Sequence, residues 1–402
     1  MYIISRMRYR KPKEHRATLG QFFTPPGIAS LLASGLTRAP TTLLELGAGE
    51  GALVSAVLER HPAASATLVE LDRRLVSGLR RTFPEHSVHA SDVLSRLGKL
   101  PLLPAYSAVI GNPPYGEFAV GSHDQAALRS LFPGCDRGGW IRQDLAFLHE
   151  SWRRVVRGGE MALLLASPII SDPAFRDVRR WLFAEADYIS VSELPEDTFA
   201  GAEVGTHLLT VRHRGRRRRT EVVHVDRYLG DGRYQGRIDL NIDTAIERAD
   251  YRYHHIRQSA GNAWDAAPTL ASLGAEVIRG SRSHREFSAA GVVHLHTCDF
   301  AESSSHLRLG RCQESNVRLA ERGDILVPRV GSRCLLRQAM VVSGTRPITE
   351  AVYRIRVGKP DRARVFDALA GDSGRLWRTA HARGSCAKFL TVQDVLRLPI
   401  VP

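Results

Sequence analysis

From residue 40 to about 213, short apolar runs alternate with stretches whose apolar residues recur at helical spacing. The runs at 41–46 (TTLLEL), 66–71 (ATLVEL), 107–112 (SAVIGN), 160–167 (EMALLLAS), 188–194 (YISVSEL) and 206–213 (THLLTVRH) predict strands. Between them, 51–61, 73–83, 144–156 and 174–183 predict helices. Such alternation predicts an α/β fold, a parallel sheet covered on both faces. No helix separates the last two strands, so an antiparallel hairpin is expected at one side. At RHRGRRRRT (212–220) apolar content collapses and charge turns positive, which reads as a linker. Beyond it the alternation is lost. Segments 291–297, 324–332, 338–344 and 351–357 predict a smaller β-rich domain with short helices near its end. The expected division is a basic segment 1–18, an α/β domain 19–213, a linker 214–220 and a second domain 221–402.

Composition narrows the class. Apolar content of 43% and charged content of 24% belong to a globular chain. No apolar run approaches the roughly 20 residues of a membrane span. The basic stretch 1–16 lacks the apolar core and cleavage site of a secretory signal. Cys135, Cys298, Cys312, Cys334 and Cys386 are scattered with no C-x-x-C pair, so neither a metal site nor a disulfide framework is expected, and the setting reads as cytoplasmic. The net charge of +14 changes the picture most. A field of that sign attracts polyanions and makes nucleic acid the first partner to test.

The candidate chemistry sits where predicted strands end. LLELGAGEGAL (43–53) is a strand running into a glycine-rich turn and a helix. Gly47 and Gly49 permit close approach of a ligand to the backbone, and the helix N-terminus is electropositive. About twenty residues on, Glu70 ends the next strand, placed to accept both hydroxyls of a ribose. This much says adenosine-like cofactor and fits a dinucleotide equally. Asp92, in SDVL (91–94), closes the third strand and can accept from an adenine amino group. GNPPYG (111–116) closes the fourth. Ligands of open α/β sheets bind beyond the carboxyl ends of the strands, so Glu45, Glu70, Asp92 and Asn112 are expected to line one crevice. An exocyclic purine amine is a poor nucleophile because its lone pair is delocalised. The Asn112 side-chain oxygen and the Pro113 carbonyl can hold its two hydrogens and aim that lone pair at an electrophile. Pro113 and Pro114 keep the acceptors rigid, and Tyr115 can stack on the base.

With these motifs in this order, the chain resembles the gamma-class N6-adenine DNA methyltransferases of restriction–modification systems over essentially its full length. The resemblance rests on LGQFFTPPGIA (19–29), ELGAGEG (45–51), VELD (69–72), SDVL, NPPY, the stretch 144–165 and LPEDTFAGAEVGTHLLTV (194–211). It implies a Rossmann-like sheet that binds S-adenosylmethionine. Thr24 would lie at the methionine end, Leu71 and Val93 beside the acids, and Phe147 beside the cofactor's adenine. Catalysis would fall to Asn112, Pro113, Pro114 and Tyr115. Phe199 would stack on a base flipped from double-stranded DNA, opposite Tyr115. The second domain would read the target, with Arg329, Arg333 and Arg337 as DNA-binding candidates, and a cognate restriction or defence partner would be expected. The chain departs from the family at Ser107, where an acid often opens the fourth strand, and at Ala202 and Glu203, where a basic residue would suit DNA better. The polar, glycine-rich stretch 117–143 reads as a flap over the target base. Two other readings use the same grip: a protein-glutamine or RNA amine methyltransferase, and a modification subunit active only with a partner.

Overall fold

A computed structural model of the chain describes residues 24–95, 105–119, 140–196, 198–199, 205–229, 233–301, 305–312, 314, 316–384 and 387–401. It forms two compact units, residues 1–250 and 251–402.

In the first unit, α1 (Pro26–Gly35) precedes β1 (Thr42–Leu46), α2 (Ala52–Arg60), β2 (Ser65–Glu70), α3 (Arg73–Thr82), β3 (Ser87–Ala90) and β4 (Tyr106–Gly111). A short ribbon, β5 (Glu117–Ala119) paired with β6 (Trp140–Arg142), leads into α4 (Gln143–Trp152). It frames the expected flap, most of which lies outside the described residues. Then come β7 (Val155–Ala166), α5 (Ser167–Ser171), α6 (Arg176–Ala184), β8 (Ala186–Glu193), β9 (Thr206–His213), β10 (Val222–Tyr228), β11 (Tyr234–Asn241) and α7 (Ile242–Glu247).

The strands form one nine-stranded sheet in the order β11-β10-β8-β9-β7-β4-β1-β2-β3. Pairings from β7 through β4, β1 and β2 to β3 are parallel. Leu43, Leu44, Val109, Ile110, Met161 and Ala162 are consecutive pairs along their strands, and each is fully buried. Consecutive burial means that both faces are covered, as a parallel sheet requires. The polar ends of the strands are where this unit can do chemistry.

The far side of the sheet corrects the expected organisation. The β8–β9 hairpin forms, but β9 lies between β7 and β8, and β10 then pairs parallel to β8. Residues 222–241 therefore belong to the first unit, and the basic stretch 214–220 is a turn within it, not a linker between domains. The signal was a weak period of two. Val223, Val225, Ile238 and Leu240 point into the fold while charged residues fill the alternate positions. The unit boundary moves from 213–221 to Asp250.

Arg179 of α6 pins the end of this extension. Its guanidinium, 2% exposed, donates from Nε to the Ile246 carbonyl (2.8 Å), from Nη1 to Ile169 (2.7 Å) and Asp172 (3.1 Å), and from Nη2 to Glu247 (2.8 Å). Burial pushes its pKa down to about 10, so it remains charged at neutral pH and serves as an internal knot.

The second unit is built on a five-stranded sheet ordered β12-β18-β15-β16-β13, made of β12 (Glu276–Arg279), β13 (Ser305–Arg308), β15 (Ile325–Pro328), β16 (Ala339–Ser343) and β18 (Val352–Arg356). A ribbon of β14 (Leu319–Glu321) and β17 (Thr345–Pro347) accompanies it. Ile325 and Val327 join one apolar cluster with Trp264, Trp377 and Leu398, while Leu326 joins another with Phe300 and Val341. Helices Arg362–Ala370, Asp372–His381 and Val392–Leu396 follow, as expected near the end. The expected strand at 291–297 does not form. Leu295 makes only a bridge to Ile348, and the His294 Nδ1 is engaged by the Val292 carbonyl. His294 and His296 nonetheless turn to the same neighbour: His284 Nδ1 lies 2.8 Å from His294 Nε2, and the His284 and His296 rings stack. Among the described residues, no cluster of His, Cys, Asp and Glu has the arrangement of a metal site, and no helix is long and apolar enough to cross a membrane.

Replacing Arg179 by Met should leave buried carbonyls without a donor and lower stability to urea by about 3 kcal/mol. A second expectation concerns pH. Burial, with Arg153 adding to it, pushes the His149 imidazole down to about 4 from 6.5. The unfolded chain then takes up this proton first as pH falls. The contribution is complete above about 6.5 and is lost toward pH 4, by at most about 3 kcal/mol. His149→Phe should flatten the pH dependence of unfolding across that window.

Candidate active site

Four parallel strands end side by side: β2 ends on Glu70, β3 and β4 are followed by Asp92 and Asn112, and β1 runs into a glycine turn. After β1 the chain turns through Gly47, Gly49 and Gly51, all at positive φ. Gly47 (φ 71°) matters most: a Cβ there would sit 3.3 Å from the Phe147 ring. Phe147, 5% exposed on α4, therefore forms the wall of the glycine turn. The Gly47 and Ala48 amides both donate to the Val69 carbonyl of β2 (2.8 and 2.9 Å), which fixes the turn against the next strand.

Glu70 is 4% exposed at the end of β2. Its Oε2 accepts from the Gly49 amide at 2.7 Å, and its Oε1 from the Leu71 and Asp72 amides at 2.8 Å each. A carboxylate offers about four acceptor sites, so three of them are engaged by backbone. Leu71 beside it is half exposed, an apolar surface left open at the mouth of the crevice. Asp92, just after β3, accepts from the Leu94 and Ser95 amides (2.9 and 3.2 Å), and Val93 is buried beneath it.

Glu45, on β1 itself, is held from inside the fold. It is 2% exposed, and its Oε2 accepts from the Val54 amide at 3.0 Å, capping the first turn of α2 from below. Burial raises its pKa well above the ordinary carboxylate range; the Val54 bond opposes this and Glu70 adds to it. It shapes the turn from inside.

Asn112 follows β4 and is bridged from two sides. Its Nδ2 donates to Thr24 Oγ1 at 3.2 Å, and the Tyr115 hydroxyl donates to its Oδ1 at 3.3 Å. Thr24 and Asn112 are thus brought together from positions 88 residues apart. Tyr115 is only 9% exposed and Phe199 4%, the latter within the cluster that includes Leu32, Leu194 and Leu208. Neither ring offers the open face that the sequence led us to expect. Ala202 and Glu203 lie outside the described residues.

Arg142 was not singled out from the sequence. It ends β6 and forms a two-pronged ion pair with Asp144, Nε to Oδ1 at 3.0 Å and Nη2 to Oδ2 at 2.6 Å. Burial opposes its charge, but Asp144 outweighs this, with Glu117 and Tyr115 adding, and its pKa stays raised. Next to it, the Gln143 amide donates to the Gly116 carbonyl at 2.9 Å, which ties the root of the ribbon to the residue after Tyr115. Only the arginine–x–acid spacing could have hinted at it. Ser107 also finds its reason. Its Oγ accepts from the Thr41 and Thr42 amides (2.9 Å each), the work an acid would do there, at the edge of the sheet away from the crevice.

In the second unit, two of the expected DNA-reading arginines are held by their own fold. Arg329 donates to the Glu350 carbonyl (2.8 Å) and Arg337 to the Phe300 carbonyl (2.8 Å). Arg333 is exposed.

Residues 27–132 match the family described as "Methyltransferase small domain". The chain is 40% identical over 100 residues to "Ribosomal RNA small subunit methyltransferase A" of Cupriavidus taiwanensis, a match covering 22% of this chain and 35% of that protein. The protein of that name from Methanospirillum hungatei, qualified as probable, is 38% identical over 96 residues, 23% of this chain and 36% of its own. The matched stretch spans about a third of the length of these curated relatives. The structure of the type IIG restriction endonuclease BpuSI superposes with a TM-score of 0.50 at 11% identity, covering 96% of this chain and 59% of that one. A type I restriction–modification methyltransferase subunit from Streptococcus thermophilus superposes at 0.46 with 21% identity, over 56% of this chain and 51% of that chain. Residues 27–132 carry the methyltransferase-type fold that this match describes, for which S-adenosylmethionine is the expected cofactor. The residues present fit that group: a glycine cradle walled by Phe147, an acid with one acceptor site left open, and an exposed leucine.

Glu70→Ala should weaken S-adenosylmethionine binding roughly 10- to 100-fold, as expected for losing hydrogen bonds to a charged acceptor. Calorimetric titration checks this, and unchanged affinity would remove Glu70 from the cofactor site.

Proposed function

We propose that the protein is a site-specific DNA methyltransferase acting on the N6 amino group of an adenine flipped out of duplex DNA. The observation that carries this reading is the placement of Asn112, Pro113, Pro114 and Tyr115 at the carboxyl end of β4, next to the glycine cradle. When bound, S-adenosylmethionine supplies an electrophilic sulfonium methyl.

The chain's own contribution is positioning. Asn112 and Pro113 accept from the two amine hydrogens and leave its lone pair free to point at the methyl. They act as acceptors and not as strong bases. Because Tyr115 already donates to Asn112 Oδ1, the incoming amine takes over a contact that exists, and the ring is released to pack on the base. Extrusion of a base costs a few kcal/mol, and stacking on Tyr115 would return about 1–3 kcal/mol; Phe199, buried in the core cluster, would first have to leave it to add a second stack. Thr24 keeps the Asn112 amide oriented throughout. Glu70, Asp92, Leu71, Val93 and Phe147 hold the cofactor. Among the proposed base-reading arginines, Arg333 is the one whose exposure suits DNA contact.

Duplex DNA is favoured by the charge of +14 and by a second unit of some 150 residues that a small-amine or peptide methyltransferase would not need. The likeness in fold of nearly the whole chain to a type IIG restriction endonuclease supports the same choice. The relatives named for ribosomal RNA match only 22–23% of this chain, so an RNA amine is the second reading. Expected alongside the enzyme is a cognate restriction or defence partner.

Labelled cofactor and genomic DNA, followed by single-molecule mapping of modified adenines, tests the proposal; label appearing only in RNA would overturn it. Asn112→Ala should lower transfer by a factor of 100 or more while cofactor binding persists. Tyr115→Phe should lose less than about tenfold and Tyr115→Ala far more, because the ring face does the stacking. Removing residues 251–402, a cut at the observed unit boundary, should abolish preference for a sequence while the first unit still binds cofactor.

A further inference from the structure

The turn between β9 and β10 carries Arg214, Arg216, Arg217, Arg218 and Arg219. Strand direction tells where it sits. β9 runs antiparallel to β7, which is parallel to β4. The carboxyl end of β9 therefore lies at the amino edge of the parallel strands, opposite Asn112, Glu70 and Gly47. β9 has eight residues, which puts roughly 25 Å between the two edges. A duplex laid over the crevice stays a sheet's length away from this turn.

The turn is built rather than loose. The Gly215 amide (φ 60°) donates to His213 Nδ1 at 3.1 Å, the Arg217 amide to the Arg214 carbonyl at 2.9 Å, and the Thr220 amide to the Ala186 carbonyl at 2.9 Å. His213 stacks on Trp152 with centroids 5.2 Å apart. Burial lowers its pKa, Glu185 opposing while Arg157 and Arg214 add, so its Nδ1 stays available as acceptor at neutral pH.

The carboxylates of this edge are already engaged. Glu185 pairs with Arg214 (3.3 Å), Asp187 with Arg212 (2.6 Å) and Arg217 (3.6 Å), and the buried Glu160 accepts from the Thr37 amide. Arg216, Arg218 and Arg219 are exposed, and among the described residues no carboxylate lies within ion-pair distance of them. Arg157, also exposed, packs against Gly215. Exposed Glu221 offsets one charge. The segment 214–220 contains no apolar side chain, so it lacks the aromatic or aliphatic anchor on which a protein interface is centred. What it offers is a row of guanidinium forks on a fixed backbone, which suits phosphates.

We infer that this rear edge is a second, sequence-independent contact surface for the phosphate backbone of duplex DNA, separate from the crevice. It rests on the duplex-DNA reading above for the choice of polymer, and on nothing about the target base. It would hold the enzyme on DNA between sites, or grip a duplex bent around the first unit.

The test uses the full chain with Arg216→Ser, Arg218→Ser and Arg219→Ser combined, which spares the arginines that pair with carboxylates. Binding to a random-sequence duplex is followed by anisotropy over a salt series. With about 0.9 in slope per phosphate contact, the log–log salt slope should fall by about 2 to 3 and affinity at low salt by tenfold or more. S-adenosylmethionine affinity should not change. Restoring charge with lysine at the three positions should recover the slope. An unchanged slope overturns the inference, as does a change confined to RNA or to polyglutamate. Methyl transfer plays no part in the readout, so failure here and failure of the proposed activity are told apart.

Discussion

A parallel sheet buried on both faces leaves polar groups only one place to work, the ends of its strands. Here β4, β1, β2 and β3 stop in line: the Gly47 turn, Glu70 and Asp92 bond to backbone, and Asn112 to the Thr24 and Tyr115 side chains. The crevice is made of exits from a dry core. Its acceptors are arranged before any ligand arrives because the strands that carry them cannot shift without breaking the ladder. The side chains that hold these exits, Glu45 on the Val54 amide and Phe147 against Gly47, are themselves buried.

Much of this was legible in the residues. Six strands and four helices of the first unit fall where apolar periodicity places them, and Gly47, Glu70, Asp92 and Asn112 stand at strand ends as their motifs imply. Three kinds of feature were not legible. Strands β10 and β11 are rich in polar and charged residues, so their alternation was hidden by the basic run before them. The link between Thr24 and Asn112 spans 88 residues, a distance over which no local pattern operates. Burial of Tyr115 and Phe199 depends on packing, and a tyrosine after two prolines reads as exposed until its neighbours are known.

Arginine is the residue most easily misread. The chain has 56 basic residues, and the temptation is to assign the whole excess to a polyanion. Arg179 and Arg378 are almost fully buried and donate to backbone carbonyls, Arg378 reaching the Leu335, Leu336 and Leu369 oxygens. Arg142 is paired with Asp144, and Arg329 and Arg337 are tied to carbonyls. In this protein a guanidinium often does the work of several backbone donors at once, joining loops that no strand ladder reaches. The arginines left for a partner are those that the fold exposes without a counter-charge.

The bond from Tyr115 to Asn112 has a consequence for the chemistry of waiting. A bare amide oxygen in a half-buried cleft would be costly without a donor and would collect water. With the phenol in place that oxygen has a donor, and on the reading proposed above the admission of a guest exchanges one donor for another of similar strength. Such a swap is close to thermoneutral, so selectivity shifts to shape. A guest that brings only a single hydroxyl gains nothing over the resident one, whereas a planar group with two hydrogens to give can outcompete it.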